Sequence, residues 1–324
     1  MIQEADVGIG IFGEEGSQAA MSSDYSIGEF KFLRKLILFH GRLNYIRISD
    51  MIIYFFFKNF VMTIPQFFFS FYNGFSGQSI YDEWYISLYN LVFTCFPLMA
   101  RAILDKNFSD DDNDFVSQNI PYTYYYGREN FGFNIQIFFN NMIQGLFYSI
   151  IIFFFCESVM SSKHIIGNNG DISDLWVNSN TQFTAIFFVV TFRIIIQSNY
   201  LCWINWFFIL FISFGLYFFY FWLSSLFFYS ETMNVAKIIF KYPIFYLFLI
   251  LIVGAEFVFD LFIRSFNIIL DDNPTNLIIK YIKNDKLKNE VNENIINEKI
   301  IDFDNLMKTY FKVKRLSKEY LEKN

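Results

Sequence analysis

The sequence is poor in the residues that build water-soluble catalytic or metal sites. Only 17% of its 324 residues are charged, and it has two histidines and three cysteines. Cys95, Cys156 and Cys202 each stand alone within an apolar run, which predicts neither a disulfide framework nor a zinc site. His40 and His164 are equally isolated, so no metal site is predicted. No basic stripe with interleaved aromatic residues lies outside the apolar runs, which excludes nucleic acid as a partner.

Apolar residues are abundant instead. They make up 54% of the chain, and 47 are phenylalanines, which is more than a globule of this size can hide from water. Six runs are long enough to cross a bilayer as helices, and they are apolar on every face, which argues against a β-barrel. The predicted fold is mainly α, a polytopic membrane helical bundle with six spans. The spans lie at about residues 51–73, 84–104, 133–155, 181–196, 202–228 and 238–263.

Basic residues predict the orientation of the bundle. Five of them precede the first span, whereas the loop at residues 74–83 has no lysine or arginine. Positive charge favours the cytosolic side, and an even number of spans returns the chain to the side where it began. Both termini are therefore predicted to be cytosolic. The expected organisation is a cytosolic segment at 1–47, a six-span domain at 48–265 and a cytosolic tail at 266–324 with an amphipathic helix.

The stretch ADVGIGIFGEEG contains Gly8, Gly10 and Gly13 in the spacing of a dinucleotide-binding fingerprint. That fingerprint requires a long helix after the glycines, a second strand and an acidic residue about 20 positions later. Here the chain soon enters an apolar span. The three glycines alone therefore do not predict a nicotinamide or flavin site.

Longer motifs resemble a known family. The stretch MIQEADVGIGIFGEEGSQAAMSSDYSIGEFKFLRKLILFHGRLNYIRISDMIIYFFFKNF resembles the end of the phosphorylation domain and the following membrane helix of P-type ATPases of the phospholipid-flippase branch. The likeness continues through NGFSGQSIYDEWYISLYNLVFTCFPLMARAILDKN, and more thinly through PYTYYYGRENFGFN and SNYLCW. The resemblance implies that residues 1–47 contain the C-terminal edge of an α/β Rossmann-like domain of the haloacid-dehalogenase type.

The resemblance also implies a function for the whole protein. Such a protein is a translocase that uses ATP and Mg²⁺ to move phospholipid toward the cytosolic leaflet, usually with a small two-span accessory subunit. The phosphorylated aspartate and the nucleotide domain are expected upstream of Met1, so this chain should be inactive alone. The plasma membrane and the endomembranes of the Golgi and endosomes both fit. Phosphatidylserine, phosphatidylethanolamine and phosphatidylcholine are not distinguished.

Four residues are predicted to line the lipid path, and none is predicted to be catalytic. Lys58 lies about seven residues, or roughly 10 Å, inside the first span, where a cation costs about 2.5–3.5 kcal/mol. From physics alone, the structural alternative is that Lys58 reaches back to the cytosolic interface or satisfies a neighbouring carbonyl. The resemblance assigns Lys58 and Asn59 to phospholipid movement, and it assigns Asn90 to the head-group path. Thr94 lies one turn beyond Asn90, on the same predicted face, while an interhelical hydrogen bond is the structural alternative for Asn90.

Other polar residues in the spans have structural interpretations. Glu256, Asp260 and Arg264 recur every four residues on the last span, which predicts a structural ion cluster on one helical face. Arg193, near the end of the fourth span, is expected to snorkel. Pro97 is expected to kink or end the second span.

Two other functions remain open at this point. A cation-transporting P-type ATPase would hold its ions with clustered carboxylates in the membrane helices. The middle of the second span has no carboxylate and the first span offers Lys58, so this sequence favours the lipid interpretation. A non-enzymatic membrane protein that keeps the glycine segment as a relic is the third hypothesis.

Overall fold

The computed structural model describes residues 4–13, 18–106, 124–160, 173–226 and 232–270. The described residues form two compact units. The smaller unit contains those up to residue 46 together with 124–132, and the larger contains 47–106 and 133–270. The acidic run at residues 110–114 and the predicted amphipathic helix of the tail lie outside the described residues.

The smaller unit contains a pair of parallel strands, β1 (Ile9–Ile11) and β2 (Tyr25–Ile27). Gly10 is a buried residue of β1, and the N–H of Gly8 donates a 2.8 Å hydrogen bond to Asp24 Oδ2. The helix between the strands, Gln18–Met21, has only four residues. These glycines therefore serve strand packing, and they do not form a phosphate-binding turn before a long helix.

Six helices of the described chain are long and apolar enough to cross a membrane, which confirms the predicted bundle. They are named here in chain order: span 1 (Phe32–Tyr72), span 2 (Glu83–Leu104), span 3 (Ile135–Met160), span 4 (Leu175–Gln197), span 5 (Trp203–Leu226) and span 6 (Pro243–Phe266).

The spans are assembled from α-helical and π-helical segments. Spans 3 and 4 are single α-helices, and the helix of span 6 continues to Leu270. The bounds within span 1 are Phe32–Lys35, π-helical Leu36–Gly41 and Arg42–Tyr72. Those within span 2 are Glu83–Leu88, π-helical Tyr89–Phe93 and Cys95–Leu104. Those within span 5 are Trp203–Phe207, π-helical Phe208–Gly215 and Leu216–Leu226. Two further short helices are Tyr125–Arg128 and Val235–Lys241.

Span 4 is the central helix of the larger unit. In its membrane-length window 83% of the residues are buried, whereas the corresponding fraction in the other spans is between 28% and 39%. Its buried side chains include many polar ones, such as Asn180, Thr181 and Thr184. A helix surrounded by other helices can carry such groups because they find partners away from lipid.

The prolines of spans 1 and 2 each leave a backbone carbonyl without its helical partner, since proline has no N–H. Pro65 frees the carbonyl of Val61, and the Ser149 hydroxyl of span 3 lies 3.4 Å from that oxygen. Pro97 frees the carbonyl of Phe93, which accepts a hydrogen bond from Ser213 of span 5. Serines on neighbouring spans therefore supply hydrogen-bond donors for both carbonyls.

Span 2 is interrupted before Pro97. The π-helical segment ends at Thr94, and the next α-helix begins at Cys95. Pro97 therefore lies in the first turn of this helix, where proline is tolerated. The sequence predicted a kink or an end at Pro97, whereas the irregular segment comes just before it.

Candidate functional site

Lys58 is buried in the interior of the larger unit. Its side chain is 1% exposed, and its ammonium group donates a 2.6 Å hydrogen bond to the Thr94 hydroxyl of span 2. The rings of Phe55 and Tyr89 lie with their centroids 5.3 and 5.5 Å from the Lys58 nitrogen. Aromatic faces attract a cation, so they offset part of the cost of placing an ammonium group in this apolar region.

The π-helical segment of span 2 presents Thr94 to Lys58. The carbonyl of Tyr89 accepts hydrogen bonds from the Thr94 N–H at 3.1 Å and from the Thr94 hydroxyl at 2.6 Å. Because that hydroxyl donates to the carbonyl, its lone pair is available to the ammonium group. The Tyr89 hydroxyl donates at 2.9 Å to the carbonyl of Lys58. Tyr89 is therefore hydrogen-bonded to both Lys58 and Thr94.

The ammonium group has donor capacity beyond this contact. A lysine ammonium carries three N–H donors, and in the described chain Thr94 accepts one of them. No carboxylate of the described chain forms an ion pair with Lys58, whereas Arg193 and Arg101 both have acidic partners. The arrangement can therefore accept an anionic group of a ligand.

Asn59 and Asn90 lie in different environments from Lys58. Asn59 follows Lys58 in span 1 and is partly buried, and its side-chain oxygen has no hydrogen-bond partner in the structure as described. Asn90 is exposed on span 2, while Thr94 is buried. The expectation that Asn90 and Thr94 share one face is therefore wrong. The structure brings Lys58 and Thr94 together and leaves Asn90 outside this contact.

Arg193 does not snorkel. Its side chain is 2% exposed, and it pairs with Asp260 of span 6 at 3.3 Å. Its guanidinium also donates to Asn141 at 2.7 Å and to Gln144 at 3.0 Å, both on span 3. The guanidinium carbon lies 3.7 Å from the centroid of the Phe57 ring. The sequence-based expectation is wrong because neighbouring helices supply partners at the depth of Arg193.

The predicted ion cluster on span 6 is only partly as expected. Asp260 pairs with Arg193, while Arg264 donates to Asn199 at 3.1 Å and approaches the carbonyl of Ser198 at 3.5 Å. Both oxygens of Glu256 are buried, and neither has a hydrogen-bond partner in the described structure. The three residues share one face of the span 6 helix as predicted, but Asp260 and Arg264 take their partners from span 4 and the residues after it and not from each other.

A polar stripe on span 3 is the signal that sequence reasoning missed. Asn141, Gln144 and Tyr148 recur at helical spacing within an apolar run, and all three lie in the network of Arg193 and Asp260. A buried charge on another span needs partners of this kind. The stripe could have identified where Arg193 would be satisfied.

A second network joins the ends of spans 2 and 4. Asp105, just after span 2, accepts hydrogen bonds from the N–H groups of Asn199 and Tyr200 at 3.0 and 2.9 Å. The Arg47 side chain donates to the Asp105 carbonyl at 2.7 Å, and Arg101 pairs with Asp50 at 3.2 Å. This network fixes the loop after span 4 against spans 1 and 2.

The described residues show no cofactor site of their own. Among them, no group of three or more histidines, cysteines, aspartates or glutamates could hold a metal ion. Gly8 and Gly10, the first two glycines of the fingerprint, are buried beside or within β1, so they do not fit a nucleotide phosphate.

Comparison with known proteins identifies the class of this helical membrane protein. The family model described as phospholipid-translocating P-type ATPase C-terminal matches residues 20–273. The chain therefore belongs to this family, and it is an integral multi-pass membrane protein.

Individual relatives agree with this assignment. The human probable phospholipid-transporting ATPase IM is 38% identical over 210 residues, which are 64% of this chain and 17% of that protein. The human phospholipid-transporting ATPase IC is 38% identical over 219 residues, 67% of this chain and 17% of that protein. The Arabidopsis thaliana probable phospholipid-transporting ATPase 5 is 36% identical over 205 residues, 63% of this chain and 16% of that protein. The match thus spans about a sixth of the length of these relatives.

Proposed function

We propose that this chain is the C-terminal membrane half of an ATP-driven translocase that moves phospholipid toward the cytosolic leaflet. The observation that carries the proposal is the buried ammonium group of Lys58, which has spare donors and no acidic partner in the described chain. The relatives, which are named as phospholipid-transporting ATPases, supply the substrate class.

The chemistry of Lys58 suits a lipid head group. A phosphate or carboxylate that reaches the ammonium group pairs with it strongly, because the attraction between opposite charges grows where water is scarce. The head group would accept the donors that Thr94 leaves free. Thr94 fixes the side chain, and the unpartnered oxygen of Asn59 can accept a hydrogen bond from an amine or hydroxyl of the lipid.

Asn90 has a different place in this proposal. It is exposed on span 2, so its amide can meet a head group that moves along the outside of the bundle before the group reaches Lys58. Both a donor and an acceptor are present in the amide, which suits zwitterionic and anionic head groups. Lys58, Asn59, Asn90 and Thr94 remain the proposed lipid path.

The remaining assignments extend the proposal to the whole protein. ATP and Mg²⁺ would be bound by domains upstream of this segment, and the chain alone would neither bind nor hydrolyse ATP. The basic residues before span 1 support the proposal that both termini are cytosolic. A two-span accessory subunit is the proposed protein partner, and either the plasma membrane or an endomembrane is the proposed location.

The cation-pump alternative lacks support at the same site. The residues around the Lys58 nitrogen are a hydroxyl and two aromatic rings, where a pump for metal ions would need several oxygen ligands with negative charge. The family match also favours lipid as the substrate.

The decisive experiment is lipid-stimulated ATP hydrolysis by the full-length protein that contains this chain. Lys58→Ala should raise the half-activating lipid concentration by about tenfold or more, since a hydrogen bond to a charged group contributes about 1.5–3 kcal/mol. Lys237→Ala, which changes an exposed lysine, is the matched control. Phosphoenzyme formation from ATP should be normal in both variants. An unchanged lipid dependence in Lys58→Ala would reject the proposed role of Lys58.

A further inference from the structure

Three ionisable side chains are buried together at the junction of spans 3, 4 and 6. Arg193 is 2% exposed, Asp260 7% and Glu256 3%. Asp260 is well supplied with partners: its Oδ1 accepts from the Tyr148 hydroxyl at 2.6 Å, from Gln144 at 2.7 Å and from Arg193 at 3.3 Å. The pair of Arg193 and Asp260 is thus complete in charge and in hydrogen bonds.

Glu256 differs from Asp260 in having no such partners. It lies one helical turn before Asp260 on span 6, and both of its oxygens are buried without a hydrogen bond in the described structure. The charged groups that act on Glu256 are Asp260 on its own helix and Arg193 on span 4. Lys237 and Lys241, on the helix that precedes span 6, are exposed. From span 3, the nearest titratable member of the network is Tyr148, which donates to Asp260.

Counting charges at this junction reveals an imbalance. The junction contains one buried guanidinium and two buried carboxylates, so the three groups carry one net negative charge when all are ionised. A buried charge without a partner is strongly unfavourable, and removing one partner from a buried pair is costly for the same reason. The observed burial of Glu256 therefore requires one additional positive charge.

We propose that Glu256, supported by the neighbouring Asp260 and Arg193, is a buried binding site for one monovalent cation, either a proton or an alkali metal ion. Both ligands supply the single positive charge that the junction lacks. A divalent ion fits less well, since it would leave an excess of positive charge at the junction. The proposal is independent of the proposed lipid path.

The location of the site connects it to span 1. Arg193 contacts the ring of Phe57, the residue before Lys58, and it also binds Asp260. A cation on Glu256 leaves Arg193 paired with Asp260, whereas an unneutralised Glu256 competes for the same guanidinium. Occupancy of the site therefore stabilises the contact between spans 1, 4 and 6.

The test is thermal unfolding of the purified 324-residue chain in detergent, followed by tryptophan fluorescence. The midpoint temperature is measured from about pH 6 to about pH 9, which brackets the range where proton occupancy of a buried carboxylate changes. Each series is run in sodium chloride, in potassium chloride and in the chloride of a large organic cation that cannot enter the site. Glu256→Gln is the neutral variant of the same shape, and Glu157→Gln changes a partly buried glutamate of span 3 as the matched control.

Removing the cation, by raising the pH or by replacing the alkali salt with the organic salt, should lower the midpoint temperature of the unsubstituted chain and of Glu157→Gln by about 3 °C or more. This shift corresponds to roughly 1 kcal/mol for a domain of this size. Glu256→Gln should lose this dependence. If the bound cation is a proton, the midpoint falls as pH rises equally in all three salts. If the cation is an alkali metal ion, the midpoint at constant pH is higher in sodium or potassium than in the organic salt.

A second variant tests the charge balance without touching Glu256. Asp260→Asn leaves one positive and one negative charge, so Glu256 can pair with Arg193 and the cation dependence should disappear. The cation dependence of Asp260→Asn can be interpreted even if Glu256→Gln fails to fold. Equal cation dependence in Asp260→Asn and the unsubstituted chain would overturn the proposal, as would an unsubstituted chain that responds to neither pH nor alkali ions.

Discussion

The guanidinium group of Arg193 is stacked on the ring of Phe57, with the guanidinium carbon 3.7 Å from the ring centroid. The same ring also packs against Gly145 on span 3, where an added Cβ atom would lie only 3.2 Å from Phe57 Cδ2. Phe57 precedes Lys58, so the packing of Arg193 and Gly145 fixes the section of span 1 that carries the buried ammonium group. Phe57 therefore contributes both to the stability of the ion cluster and to the geometry of the proposed lipid path.

Replacing Arg193 alone should destabilise the membrane domain strongly. Arg193→Met leaves Asp260 without its cation, and losing one partner of a buried ion pair costs about 3–5 kcal/mol. The double substitution Arg193→Met with Asp260→Leu should recover much of this loss, since no unpaired aspartate remains. Unfolding of the purified chain measures both effects. A single variant as stable as the unsubstituted chain would contradict the importance of the pair.

The hydroxyl of Tyr89 should matter for lipid activation beyond its contribution to stability. Tyr89→Phe removes the 2.9 Å hydrogen bond to the Lys58 carbonyl and keeps the ring beside the ammonium group. Tyr85→Phe is the control, because it removes a 3.0 Å hydrogen bond to Ser224 one turn earlier on the same span. Both should lose about 1 kcal/mol of stability. Only Tyr89→Phe should raise the half-activating lipid concentration of the full-length protein, and equal shifts in both variants would argue for a purely structural role.

Lys58 and Asn90 should be coupled only through a shared lipid. No hydrogen bond joins the two side chains in the described structure, so a double-mutant cycle of Lys58→Ala and Asn90→Ala should be additive in stability. In the apparent lipid affinity of the full-length protein it should show a coupling of about 0.5 kcal/mol or more. Additivity in both measurements would mean that the residues do not meet the same head group.

The loop between spans 1 and 2 should face the side opposite to the N-terminal segment. Ser76→Cys provides an exposed thiol in this loop, and it avoids Gly77, whose φ of +83° disfavours other residues. Met21→Cys provides one in the N-terminal unit, where Met21 is 80% exposed. A membrane-impermeant thiol reagent applied from the cytosolic side should label only Met21→Cys, with the unsubstituted chain as the blank. Cytosolic labelling of Ser76→Cys would reverse the proposed topology.

The sequence by itself determined the six spans and the presence of a lysine within the first of them. Hydropathy over about 20 residues is a local property, and the cost of exposing backbone or charge to lipid leaves few alternatives for such a run. Lys58 was recognisable for the same reason, since a charge within an apolar helix needs an explanation wherever the neighbouring helices lie.

Only the tertiary structure decided which polar groups meet. Arg193 has the same local sequence whether it snorkels or pairs with Asp260, and the outcome depends on span 3 presenting Asn141 and Gln144 at the right depth. The π-helical segment before Thr94 likewise separates its environment from that of Asn90, although helical spacing predicted one face. Hydrogen bonds and ion pairs between spans depend on the rotation and depth of each helix, which are set by packing against neighbours and are not encoded in any single span.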